Sequence, residues 1–100
     1  MKIKMREDLK DWVLSGEKTA TTRLGVRKTK KGRTVIVFNE SGDEIPVEVT
    51  VAKQIKFKEI DKTLATKENH TVESLKATLE HIYGPIQDEQ VMTVIEFKLI

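Results

Sequence analysis

Gly16-Glu17-Lys18-Thr19-Ala20-Thr21-Thr22-Arg23 lies where a helical apolar pattern stops and a strand-like one starts. Upstream, Met5, Leu9, Trp12 and Val13 recur at helical spacing, which predicts a helix over residues 6–15. Gly16 is its natural stop, because glycine takes the left-handed conformation that closes helices. Downstream, the β-branched threonines favour an extended chain.

The same eight residues set an amine, a hydroxyl and a guanidinium close together in the chain. A threonine hydroxyl becomes a useful nucleophile only when a base takes its proton. Lysine, with an ordinary pKa of about 10.4, serves as that base once burial or a neighbouring cation lowers it. Arg23 is such a cation and can fork two donors onto a carboxylate or phosphate. On a regular strand Thr21 and Arg23 share a face, and Lys18 joins them only if the chain turns near Thr19. The plainer reading is a half-buried strand with solvated Lys and Arg side chains.

Working outward, residues 23–33 carry Arg23, Arg27, Lys28, Lys30, Lys31 and Arg33 with no acid. The whole chain has a net charge of +2, so the remainder stands at −4. A basic loop on an acidic body suits a phosphate-attracting edge, or else a solvated, mobile loop. Residues 34–39 read as a strand, and Glu40-Ser41-Gly42-Asp43 turns the chain back. Val47, Val49 and Val51 alternate with polar neighbours along a second strand that continues to about Phe57.

Two helices follow, over residues 60–68 and 71–83, the second capped by Thr71 and ended by Gly84-Pro85. Val72, Leu75, Leu79 and Ile82 form its apolar stripe. Residues 90–100 close the chain as a strand with Val91, Thr93, Ile95, Phe97 and Leu99 on one face. The order of helix, antiparallel strands, two helices and strand is α+β, with the sheet curling into a small barrel.

One hundred residues suit a single domain, here 1–100. There is no cysteine, which excludes disulfides and thiolate metal sites. His70 and His81 have no partner at metal-ligand spacing, so neither a metal nor another cofactor is expected. Without a secretory signal or a membrane-length apolar run, the chain reads as cytoplasmic and soluble; its oligomeric state is open, with a monomer favoured.

The spacing Gly-x-Lys-x-x-Thr-x-Arg at 16–23 resembles the signature of the ASCH domain, a branch of the PUA-like superfamily. The element order extends that resemblance over nearly the whole chain. Lys67-Glu68-Asn69-His70-Thr71, the helix through Ile82-Tyr83 and the ending Val94-Ile95-Glu96-Phe97-Lys98 resemble the small bacterial N(4)-acetylcytidine amidohydrolases. The resemblance implies a small antiparallel PUA-like β-barrel with flanking helices, and removal of acetate from the exocyclic amide of acetylated cytidine. It implies catalytic roles for Lys18 as activator, Thr21 as nucleophile and Glu68 as proton donor and acceptor. A Glu68 pKa raised by burial would suit that donation near neutral pH. An alternative division keeps Lys18 charged on the oxyanion while Glu68 activates water.

Arg23, Arg27, Lys28 and Lys31 are the candidates for substrate or phosphate binding. The basic segment is longer than the amidohydrolase resemblance leads one to expect and suits a polynucleotide better than a free nucleoside. Partners are therefore a modified nucleoside or RNA, with no membrane. A non-catalytic PUA-like RNA-binding domain is the competing reading, although none of the five aromatics lies in the basic segment to stack on bases. An RNA-cleaving enzyme using the same cleft ranks third.

Overall fold

The computed structural model describes residues 2–100. Its elements in chain order are β1 (Lys2–Met5), a 3₁₀ turn (Glu7–Leu9), α1 (Lys10–Ser15), β2 (Ala20–Leu24), β3 (Gly32–Phe38) and β4 (Glu44–Lys56). A second 3₁₀ turn (Phe57–Glu59), α2 (Lys62–Lys67), α3 (Val72–Tyr83) and β5 (Val91–Leu99) complete it. The class is α+β, with helices flanking one curled sheet of order β1-β3-β4-β5-β2.

Two features differ from the sequence-based expectation. The chain opens on a strand, not a helix, and Met5 belongs to it. The Lys2-Ile3-Lys4-Met5 stretch alternates polar and apolar, and Ile3 and Met5 are both buried. Secondly, the sheet is mixed, because β1 pairs with β3 in parallel while the other three pairings are antiparallel. The sheet is a half-barrel: β1 and β2 are its two edges.

Two apolar clusters hold the sheet. One joins it to α2 and α3 through Ala20, Leu64, Leu75, Leu79, Met92 and Val94. The other fills the curl beside α1 with Ile3, Val13, Ile36, Phe38, Ile95 and Phe97. β5 contributes to both, so its Met92, Thr93, Val94 and Ile95 are buried on alternate faces in succession. That explains why its one-sided pattern understated its burial. A register shift between Val49 and Val51 lets the long strand β4 change the face it buries, with Val49 and Ala52 on the same side.

α3 begins with a reciprocal cap, Thr71 and Ser74 each accepting from the other's backbone N–H. Leu75 and Leu79 are buried in its stripe, whereas Ile82 is exposed. α1 buries only Val13, and Trp12 sits half-buried, edge-on to the His70 ring at 6.1 Å.

Candidate active site

The end of α1 and the end of α2 are docked on each other, and this contact builds the site. Gly16 has φ +83°, the left-handed turn that releases the chain from α1. The Lys18 amide then donates to Trp12 O at 3.0 Å and the Thr19 amide to Lys67 O at 2.7 Å. Lys18 precedes β2, so strand alternation does not constrain where its amine goes.

On the other side, Glu68 caps α2 in a Schellman arrangement. The Asn69 amide donates to Thr66 O at 3.0 Å and the His70 amide to Ala65 O at 2.9 Å. Asn69 itself takes φ +59°, a conformation that asparagine tolerates better than most side chains. Its side chain donates to Glu17 Oε2 at 3.3 Å, a second tie between the two segments.

Within this junction Lys18 Nζ donates to Glu68 Oε1 at 3.1 Å. The Thr22 hydroxyl donates to Glu68 Oε2 at 2.5 Å. All four polar residues here are buried: Lys18 is 4% exposed, Thr21 5%, Thr22 4% and Glu68 3%. Both carboxylate oxygens thus have a donor, which is what a buried charge requires. Burial pulls the Lys18 pKa below its ordinary value; Glu68 opposes that pull, while Arg23 and Arg6 add to it. Burial also lowers the pKa of His70, with Lys18 pushing the same way and Glu68 against.

These groups border a cavity of about 290 Å³ between the open edge of β2, the end of β1 and one face of α3. Lys18, Thr21, Thr22, Arg23 and Glu68 all line it, with His70, Ile82 and Tyr83. Thr21 and Thr22 point to opposite sides of β2, pairing with Ile95 and Val94 of β5 respectively. Because β2 is an edge strand, the cavity reaches both. The Thr21 hydroxyl has no hydrogen-bond partner among the described residues.

Arg23 is a staple as much as a ligand: its guanidinium donates to Lys4 O at 2.5 Å, across the gap between the two sheet edges. Burial lowers its pKa, with Arg27 pushing the same way and the nearby Tyr83 and Glu68 side chains working against it. Glu96 pairs with Lys67 at 2.7 Å and not with Arg23. Arg27 and Lys28 line a separate cavity with Lys2 and Lys4, and Lys31 is exposed and borders neither.

A family model described as the ASCH domain matches residues 1–100. The chain belongs to the ASCH domain family. This ASCH domain is similar to the ASCH domain from Lactobacillus crispatus JV V101, at TM-score 0.76 and 16% identity over 89% of this chain and 68% of that one. It is similar to the hypothetical protein PH0355, at TM-score 0.70 and 23% identity over 100% of both chains. It also resembles the S128A mutant of ZmASCH from Zymomonas mobilis, at TM-score 0.73 and 12% identity over 97% of this chain and 66% of that one. A search of curated proteins found no match. At these identities the likeness speaks for the fold.

Thr22 and His70 are members of the cavity wall that the sequence reading passed over. Strand alternation assigns Thr22 to the face away from Thr21, and only the edge position of β2 undoes that. His70 has no partner at metal-ligand spacing, and its place on the wall follows from its position directly after the Glu68-Asn69 cap.

Proposed function

We propose that this ASCH domain is an amidohydrolase that removes an acyl group from the exocyclic amide of a modified nucleoside such as N(4)-acetylcytidine. The observation that carries the reading is the buried Lys18–Glu68 pair on the wall of a cavity that Thr21 also lines. The cavity's size approaches the range of small-molecule sites, about 300–1,000 Å³.

Neutral Lys18, favoured by burial, takes the Thr21 proton as Thr21 Oγ1 bonds to the acyl carbon. Lys18 returns that proton through its contact to Glu68. Glu68 delivers it to the exocyclic nitrogen as the C–N bond breaks, leaving the free amine and an acyl ester on Thr21. A water then attacks the ester and gives its proton by way of Glu68 to the departing Thr21 oxygen, so acetate leaves and Thr21 is restored. Arg23, beside the same cavity, stabilises developing negative charge without changing protonation. Thr22 holds the second Glu68 oxygen and thereby fixes the direction in which the first one points.

A variant of this scheme keeps Lys18 as the ammonium that binds the oxyanion, with Glu68 activating water directly. It forms no ester on Thr21. A non-catalytic RNA-binding role is supported by one observation, the cation-lined second cavity on which Arg27 is anchored.

Incubation with N(4)-acetylcytidine tests the reading. Cytidine and acetate should appear in equal amounts, and Glu68→Gln should bind substrate with little change while losing at least a hundredfold in turnover, within the usual range for general acid–base catalysis. Absence of hydrolysis by the unmutated protein, together with salt-dependent RNA retention, would favour the binding-module reading.

A further inference from the structure

The second cavity, about 310 Å³, opens in the gap between β1 and β2 and shares Lys4 and Arg23 with the first. Five of its eight lining residues are cations, Lys2, Lys4, Arg23, Arg27 and Lys28, and no carboxylate lines it. Lys2 is balanced by Glu44 at 3.3 Å. The Lys4 and Lys28 ammonium groups have no partner among the described residues.

Arg27 is held in place. Its amide donates to Thr93 Oγ1 at 3.0 Å, its Nε donates to Leu24 O at 3.0 Å, and Thr93 Oγ1 donates to Gly25 O at 2.7 Å. Thr93 is buried, so the start of the basic loop is tied to the core of β5. A fixed guanidinium and two unpaired ammonium groups around a concavity form a prepared anion site, since charge-assisted bonds to phosphate are stronger than neutral ones.

We infer that this second cavity is a phosphate subsite, and that the substrate of the domain is a phosphorylated nucleoside whose base and sugar occupy the first cavity. The inference takes from the proposed function only that the first cavity holds a nucleoside. Arg23 is the shared wall: one of its five N–H donors closes the sheet gap on Lys4 O, and the others remain for the ligand. A free mononucleotide and a nucleotide within an RNA strand present the same phosphate chemistry to it.

The test is equilibrium binding of cytidine, cytidine 5′-monophosphate, cytidine 3′-monophosphate and a short cytidine-containing RNA to the full chain, at low and at high salt. At least one monophosphate should bind roughly tenfold or more tighter than cytidine, an advantage that shrinks with salt. Lys4→Gln/Lys28→Gln removes two exposed, unpaired charges and should bring the phosphorylated ligands down towards the affinity of cytidine. A further gain for the RNA assigns the phosphate to a strand, and no further gain assigns it to a mononucleotide. Equal binding of cytidine and both monophosphates, or a preference that survives the double substitution, overturns the inference. The hydrolase reading fails separately: nucleotide binding that depends on Lys4 and Lys28, without deacylation, leaves the phosphate site standing and removes the catalysis.

Discussion

Glu68 has two buried donors, and they do different things. The Thr22 hydroxyl holds one oxygen and the Lys18 amine meets the other. Thr22→Val leaves a buried carboxylate oxygen unpaired, which should cost about 1–3 kcal/mol in chemical denaturation. In the proposed mechanism it should also lower kcat more than it raises KM, because the Thr22 hydroxyl is committed to aiming Glu68. A fall in stability with unchanged kcat would reduce Thr22 to packing. The Lys18 pKa is lowered, so its neutral form is available at a lower pH than for an ordinary lysine. Turnover should therefore rise with pH and level off with a midpoint below about 10.4. A falling profile across the same range would support the charged-lysine variant. Lys18, Thr21 and Glu68 were all legible as residues of interest from the chain. Thr22 was not, because alternation along a strand says nothing about whether that strand is an edge.

The cap that carries Glu68 and the turn that carries Lys18 are short elements with left-handed residues at their ends. Asn69 has φ +59° and also bonds Glu17. Asn69→Ala should destabilise the domain by roughly 1–2 kcal/mol, because alanine lacks the polar side chain that lets asparagine tolerate that conformation and loses the bond to Glu17. Asn69→Gly, which removes the strain but keeps the turn, should be milder. Thermal unfolding of the two variants checks the order, and Ala milder than Gly would mean the cap does not govern the position of Glu68. Most elements could be read from spacing: Gly16 and Gly84 as stops, Thr71 as a cap, β3 and β4 from their β-branched runs. β1 was lost because four residues of alternation are shorter than the helical pattern into which Met5 also fits. The parallel pairing of β1 with β3 depends on contacts between distant segments that no local pattern encodes.

At the scale of the molecule, the half-barrel leaves a gap between β1 and β2, and both cavities open on it with Arg23 between them. The site therefore sits where the sheet is unfinished, and its buried charges make stability depend on pH. The folded-state pKa of Lys18 lies below its unfolded value, so between the two the unfolded chain binds more protons. Folding stability from this residue is thus weaker below the folded pKa and grows as pH rises towards about 10.4. The half-buried Lys10 and the exposed Lys56, whose pKa values are raised by Asp43 and Glu89, pull the opposite way above their unfolded values. Comparing urea midpoints of the wild type and Lys18→Met across the alkaline range isolates the buried amine. The wild type should gain relative to the variant as pH rises, and parallel curves would mean Lys18 titrates as though exposed.

The central claim is that one cavity makes a working unit of Thr21 with the Lys18–Glu68 pair, and Thr21→Val tests it most directly. Valine is nearly isosteric with threonine on a strand, so the circular dichroism spectrum should be unchanged. The account predicts that this variant, assayed beside an active wild type, releases no cytidine from N(4)-acetylcytidine. Full turnover by a folded Thr21→Val protein would contradict it.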